Sequence, residues 1–448
     1  MESVKDLGDG LILRPATKRD TDALVKFQIH AFANPDTGEL DHYLGGWTRD
    51  LMRGRHPNFK PGDFLVVQDT KTNTIVSSTC LISQTWCYDE IPFGVGRIEI
   101  VATDAAYRRR GLVREQFRLL HEWSAQRGEL VQAITGIPYY YRQFGYEFAL
   151  NLAPARQTFV PQQIPELKKG EREACRLRRA TRKDLPFVAQ VYQHGARRSL
   201  VHCEHNIAQL AYQQFFETDK FNGHRAQWCV IESRTGERVG ALLHRLFVFQ
   251  RRVNCYFYDL LPGVAWQAAT PSVLRGLAHT ASKLQVTDGK PFSQLSWYVD
   301  DNHPLVELFH ENLGGAHGGY AWYLRVPDLP AFLERIAPVL EKRLGASPLK
   351  NYMGVLRLNF YTGGVEMIFE NGKLRAVQPW RATAGDYGQS GFGDAMFPEL
   401  TFLKLLFGYR ALSELEAMFP DCTTANERDK ALLNILFPKL PSHVLPIH

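Results

Sequence analysis

The residues best suited to chemistry in this chain are Arg108-Arg109-Arg110-Gly111-Leu112-Val113-Arg114, between the β-rich GRIEIVATD and a stretch with helical spacing. At the start of a helix the first N–H groups lack intrahelical partners, the dipole end is positive, and a glycine lets a ligand approach the backbone. The string therefore reads as a cradle for an anion. Taken alone it would be a solvated basic helix start; the strand before it, the helix after it and the aromatic segment downstream favour the cradle. That segment, Tyr139-Tyr140-Tyr141-Arg142-Gln143-Phe144-Gly145-Tyr146, follows the strand-like ELVQAITGI. It offers several phenols, the side chains that hand a proton to a leaving group. Burial in the core suits Tyr139 and Tyr140 better.

The elements that position these residues belong to a repeated unit. LILRPATKRDTDALVKFQIHAF (11–32) and CRLRRATRKDLPFVAQVYQHGA (175–196) share an R-x-A-T-[KR]-[KR]-D string at an offset of 164 residues. In both, a threonine (Thr17, Thr181) stands at a helix start and an acid three residues on (Asp20, Asp184) lies in its first turn. After the first entry, DFLVVQD, TIVSSTCLISQTW and GRIEIVATD read as a strand meander, and 110–127 as a helix with a Leu112, Phe117, Leu120, Trp123 stripe. The second copy runs through AQWCVIES, VGALLHRLFVF, VNCYFYDLL and a helix near 272–281, closing with FSQLSWYVD and GGYAWYLRV. Its helix entry, PGVAWQAATPSVLRGL, has no arginine cluster. From 329 the pattern changes to a helix (329–343), strands with turn signals at Gly363-Gly364 and Asn371-Gly372, and two more helices. The expectation is an α+β chain: two mixed α/β units over 1–165 and 166–328, then an α+β domain over 329–448.

Composition narrows the function classes. The 448 residues are 45% hydrophobic and 22% charged, which is ordinary for a chain that buries real cores. The net charge of +6 is spread out, so nucleic acid is not the expected partner. No apolar run is long enough for a membrane span and no secretory leader is visible, so a cytoplasmic location is expected. Seven scattered cysteines give neither a disulfide framework nor a metal cage. His202-Cys203-Glu204-His205 resembles a ligand string, but its spacing and lack of companions argue against zinc, and no metal is expected. Asp259, Trp266 and Trp297 in the second unit, and Phe360, Phe369, Trp380 and Phe402 in the third, are expected in cores.

The cradle, its flanking strand and helix, and the tyrosine segment resemble the GNAT (Gcn5-related) N-acetyltransferase family, whose acyl-CoA site uses [QR]-x-x-G-x-[GA] at a helix start. Arg108 fills the first slot and Gly111 the glycine; Val113 departs from the small last residue. The resemblance implies that Ile100, Val101 and Thr103 hold the pantetheine arm of acetyl-CoA and that Arg109, Arg110, Gly111, Leu112, Val113 and Arg114 meet its diphosphate. It also implies Phe32 and Asp36 on the acceptor side. Two such units ahead of a sterol-carrier-protein-like domain resemble the Eis (enhanced intracellular survival) type. That type implies a proton donor at Tyr146, with Tyr141 as the other candidate, and a base at the C-terminal carboxylate of His448, whose imidazole is a second candidate. The implied reaction moves an acetyl group from acetyl-CoA to a primary amine of an aminoglycoside, polyamine or lysine-bearing peptide, in a homo-oligomer. The rival expectation is a non-catalytic acyl-CoA sensor or lipid-binding module.

Overall fold

The computed structural model describes residues 4–152, 155–157, 161–300, 302–313, 316–317, 320–382 and 392–448. Gly318 and Gly319 of the second unit's expected closing segment lie outside them. In chain order the first elements are β1 (Lys5–Gly8), β2 (Leu11–Pro15), α1 (Thr21–Ala31), α2 (His42–Met52), β3 (Phe64–Asp69), β4 (Thr74–Tyr88), β5 (Ile91–Thr103), α3 (Leu112–Gln126), β6 (Val131–Ile134), β7 (Glu147–Asn151) and β8 (Ala155–Gln157). They are followed by β9 (Cys175–Arg179), α4 (Leu185–Ala196), β10 (Val201–Cys203), α5 (Ile207–Phe215), β11 (Ala226–Ser233), β12 (Arg238–Arg245), β13 (Phe247–Val248), β14 (Arg252–Leu260), α6 (Trp266–Ala281), β15 (Gln285–Val286), β16 (Gln294–Tyr298), α7 (Pro304–Phe309), β17 (Ala316–His317) and β18 (Ala321–Arg325). The last are α8 (Leu329–Arg335), α9 (Ala337–Gly345), β19 (Gly354–Asn359), β20 (Gly364–Glu370), β21 (Lys373–Trp380), β22 (Ala395–Met396), α10 (Phe402–Leu406), α11 (Leu412–Met418), β23 (Thr423–Thr424) and α12 (Glu427–Leu436).

The sequence repeat returns as a repeat of sheets. The first runs β1-β2-β3-β4-β5-β6-β18-β7, with β10 added beside β4; the second runs β9-β11-β12-β14-β16-β8-β17. Strands cross between the units: β10 and β18 of the second lie in the first sheet, and β8 of the first lies in the second. β18 inserts between β6 and β7, and β8 pairs with both β16 and β17. Hydrogen-bonded strands thus lock the units together, and Leu200, Val201, Trp322 and Leu324 of the second share a core with Trp86 and Phe93 of the first.

The shared string builds the same corner twice. Arg14 grips Asp20 through two nitrogens (2.9 and 2.6 Å), and Asp20 also accepts from the N–H and hydroxyl of Thr17 (2.7 and 2.9 Å). Arg178 grips Asp184 (2.7 and 2.9 Å), which accepts from the N–H and hydroxyl of Thr181 (2.9 and 2.7 Å). A short 3₁₀ turn, 18–20 or 182–184, separates the threonine from the α-helix proper, so the acid caps that turn and the arginine neutralises it.

The third region forms a five-stranded sheet, β21-β20-β19-β22-β23, covered by helices. Asn371 and Gly372 both take positive φ (51° and 74°) in the tight turn between β20 and β21, as expected of that pair. The single helix expected over 329–343 is two, because Pro338 in the first turn of α9 can supply no N–H to continue α8. Leu333, Leu340, Leu405 and Leu433 share a core with Trp86, Phe93 and Val95 of the first sheet, so this region packs directly on it. Phe369 and Phe402 are in that core and Phe360 packs against it. Asp259 and Trp297 are fully buried and Trp266 packs on the second core.

Candidate active site

The site begins where two parallel strands part. β5 pairs with β6 over Val95–Arg97, opposite Val131–Ala133. Beyond Arg97, β5 continues to Thr103 while β6 stops at Ile134, leaving one edge of β5 facing a fork. Within that stretch Ser78 faces Ala102 and Cys80 faces Glu99, so Ile100 and Val101 together oppose Thr79 in a bulge. Ile100 takes φ +55°, a conformation strained for a β-branched residue. Its side chain is buried in the core beneath α1 and α2, while Val101 faces the fork. Ser77 holds the far end: its hydroxyl lies 2.9 Å from the Ala102 carbonyl and 2.8 Å from both Thr103 Oγ1 and Gln116 Oε1 of α3.

The basic string then closes the floor. Tyr107 donates to Asp69 (2.6 Å) and fixes the 105–107 turn; Arg109 (φ +62°) and Gly111 (φ +75°) swing the chain into α3. A Cβ on Gly111 would meet nothing within 4 Å, so backbone conformation, not crowding, calls for glycine there. Leu112 opens a 15-residue helix whose first N–H groups have no intrahelical acceptor. A cleft of about 820 Å³ lies over this turn, lined by Phe32, Val101, Ala102, Thr103, Arg108 through Arg114, Ile137, Tyr140, Gln143 and Phe144. Arg114 lies over the Phe144 ring (5.8 Å) and Arg110 over Tyr107 (5.7 Å), which holds both stems along the wall.

Of the residues singled out in the sequence, Phe32, Val101, Thr103 and Arg108 through Arg114 line the cleft together, and Ile100 lies in the core behind it. Asp36 is not brought there: it is exposed in the turn before α2, where its N–H bonds to the Asn34 side chain (2.8 Å). The tyrosine segment is rearranged relative to expectation. Tyr139 is 71% exposed with φ +64° and is not core, whereas Tyr140 is half-buried, packing on the core and also lining the cleft. Tyr146 is fully buried under α3, its hydroxyl 2.8 Å from Nε2 of His121, a histidine that burial pushes down to about 3. Tyr141 is buried beside Gly136, just past the end of β6; a Cβ on that glycine would lie 3.5 Å from the Tyr141 hydroxyl. Burial and the nearby Glu99 carboxylate raise the Tyr141 phenol, keeping it protonated.

Residues 442–448 arrive on the opposite face of the same strand. His443 donates its N–H to the Val201 carbonyl (3.1 Å) and bridges His202 in parallel, the His205 ring nitrogen meets the Leu445 carbonyl (2.7 Å), and Gln84 donates to the Ile447 carbonyl (3.2 Å). His448 ends beside Arg97, whose Nη2 lies 2.9 Å from its Nδ1 and whose Nε holds Glu99 (2.7 Å). Sequence reasoning missed Ser77, Gln116, Tyr107 and Arg97. The only local signal was a polar Ser77-Ser78-Thr79 run, buried within an otherwise apolar strand.

The family model for an acetyltransferase (GNAT) domain matches residues 13–149. The chain carries a GNAT acetyltransferase domain. The chain is an acetyltransferase by that domain, and acetyl-CoA is the acyl donor that GNAT domains use. Solved structures agree on the fold across nearly the whole chain. A GCN5-related N-acetyltransferase from Kribbella flavida is 18% identical with a TM-score of 0.65, covering 98% of this chain and 100% of its own. One from Anabaena variabilis is 13% identical (TM-score 0.65; 97% and 99% covered), and Eis1 from Mycobacterium abscessus is 13% identical (TM-score 0.59; 96% and 98% covered). No curated protein sequence matches the chain. The cradle fits the donor's anionic handle: guanidinium groups, free helix-start N–H groups and an unobstructed glycine face one cleft. Among the described residues no group of three or more His, Cys, Asp or Glu side chains is placed to hold a metal, and no helix is long and apolar enough to cross a membrane.

Proposed function

We propose that the chain is an Eis-type N-acetyltransferase that moves the acetyl group of acetyl-CoA to a primary amine of an aminoglycoside, polyamine or lysine side chain, by direct attack in a ternary complex. The observation that carries this reading is the fork in β5 and β6 opening onto the Arg108–Arg114 turn within a single cleft. The diphosphate lies on the N–H groups and guanidinium groups of that turn, and the pantetheine arm runs along Val101 and Thr103. The thioester carbonyl meets the bulged backbone at Ile100 and Val101, where an N–H faces the developing oxyanion. Tyr141 protonates the departing thiolate, and Tyr146 is core. The carboxylates at hand for the amine's proton are Glu99 and the α-carboxylate that His448 carries in this chain. Supporting the division of labour, residues 1–165 hold this cleft and 166–328 form a second GNAT-like unit without the basic turn. Residues 329–448 are a sterol-carrier-protein-like domain that buttresses the first sheet.

Thiol release from acetyl-CoA across aminoglycosides, polyamines and lysine peptides tests the reaction, with CoA-induced thermal stabilisation as the companion measurement. Turnover on at least one amine is expected. CoA binding without thiol release on any amine would point to an acyl-CoA sensor, and no stabilisation at millimolar CoA would remove the donor site itself.

A further inference from the structure

The second unit, which already holds the His443 and Leu445 backbone through Val201 and His205, meets the last residue through His224. The His448 ring stacks on His224 with centroids 3.8 Å apart at 15°, and Trp47 packs edge-on against both rings, 5.5 Å from His448 and 4.4 Å from His224. Trp47 comes from α2 of the first unit and His224 from the loop before β11. The two elements meet backbone to backbone, since a Cβ on Gly46 would fall 2.3 Å from the Asn222 nitrogen. Arg97, 3% exposed, closes the third side, tied at once to Glu99 and to Nδ1 of His448.

A guanidinium can only donate, so Nδ1 must present its lone pair to Arg97 and the ring proton must reside on Nε2. In that tautomer neither nitrogen can take a proton from an amine. The groups that face the ring, His224, His56, Arg97 and Arg245, are bases or cations, and with burial they hold the imidazole neutral. We propose that the His448 imidazole is an anchor, not a base, and that Arg97, Trp47 and His224 are positioning residues that fix residues 442–448 against the fork. The unit without the basic turn therefore supplies one jaw of the clamp. The kinetic part of this inference rests on the acetyl-transfer reading; the ring's tautomer does not.

Nitrogen-15 spectra of histidine-labelled protein separate the two. The expected pattern is a His448 ring with unprotonated Nδ1 and protonated Nε2 that does not titrate between pH 5 and 8. A ring titrating near its ordinary value, or one protonated at Nδ1, overturns the anchor whatever the enzyme does. On the active enzyme, His224→Ala should lower kcat about tenfold while the KM for acetyl-CoA stays within twofold, and His224→Phe, which restores a stacking ring, should recover most of it. His448→Phe should keep the acidic limb of the pH–rate profile at its original position with a turnover loss of a few fold. Disappearance of that limb would make the imidazole the base. Should the wild-type protein move no acetyl group, the spectra, and faster amide exchange at 444–447 in His224→Ala than in wild type or His224→Phe, still decide the clamp.

Discussion

The two sheets open at the same place, onto cavities of very different size. β14 pairs with β16 only over Arg252–Cys255, as β5 pairs with β6 only over Val95–Arg97. In the first unit the fork gives onto a cleft of about 820 Å³. The corresponding crevice in the second unit measures about 20 Å³, lined by Arg198, Phe257, Tyr258, Val299, His303 and His443. Arg198 pairs there with the fully buried Asp259, and His303 bonds to the Tyr258 carbonyl (2.8 Å). The helix that follows begins at Ala265 and Trp266, without a positive-φ residue at its cap and without arginines in its first two turns. A fork is therefore a property of the fold, and on the proposed function it serves the cofactor where nothing fills it and a basic turn lies beneath it.

The difference can be broken from either side. Asp259→Asn leaves the Arg198 cation against a buried partner that can no longer balance it, and should cost about 3 kcal/mol of stability, the low end for buried pairs because Arg198 is partly exposed. Thermal or urea unfolding measures that loss, and CoA affinity should not change with it. Replacing Arg108, Arg109 and Arg110 together by alanine should do the reverse: about 100-fold weaker CoA binding by calorimetry, roughly 3 kcal/mol from two lost charge-assisted contacts, with little change in unfolding. Equal sensitivity of both properties in either variant would mean the two forks are not divided into a filled and a binding one.

The tyrosines sharpen the comparison within the first unit. Tyr141→Phe should lower kcat by about a hundredfold with the KM for acetyl-CoA near constant, the low end for a lost general acid. Tyr146→Phe removes one buried hydrogen bond to His121 and should cost about 1 kcal/mol of stability, with the smaller effect on kcat. The opposite ranking of the two turnover losses would return the donor's role to the F-G-Y tyrosine.

What could be read in the sequence follows from how local each signal is. Arg108 to Arg114 announced itself because a basic string, a glycine and a helix start are neighbours in sequence and remain so in space. The repeat was visible because R-x-A-T-[KR]-[KR]-D builds a corner entirely within seven residues. The bulge at Ile100 was not visible, because it depends on which residue of β4 faces it, and a β-branched residue is an improbable choice for positive φ. The exchange of β8 and β18 was hidden because strand partners more than 130 residues apart leave no trace in local alternation. Tyr140 packs on the core as expected and lines the cleft as well, because an amphipathic ring serves both. Arg97 and His224 had no motif at all; only the route of residues 442–448 gives them a purpose.

The smallest expected effect tests whether the two copies of the corner are energetically equal. Asp184 is held further below the ordinary carboxylate range than Asp20: Arg178 is its leading influence, whereas burial, which opposes ionisation, leads at Asp20 ahead of Arg14. A carboxylate with a lowered folded pKa stabilises the fold above its unfolded value, near 4, and loses that contribution as pH falls through the folded value. Asp184→Asn should therefore cost about 1.5 kcal/mol at pH 7 and Asp20→Asn about 1 kcal/mol, each removing charge-assisted bonds to arginine. Below pH 4 both deficits should shrink, that of Asp20 at the higher pH because its folded pKa is the less depressed. Urea unfolding of the two variants and the wild type at pH 7 and pH 3 measures this, and deficits that stay constant with pH would show that packing, not charge, holds the corners.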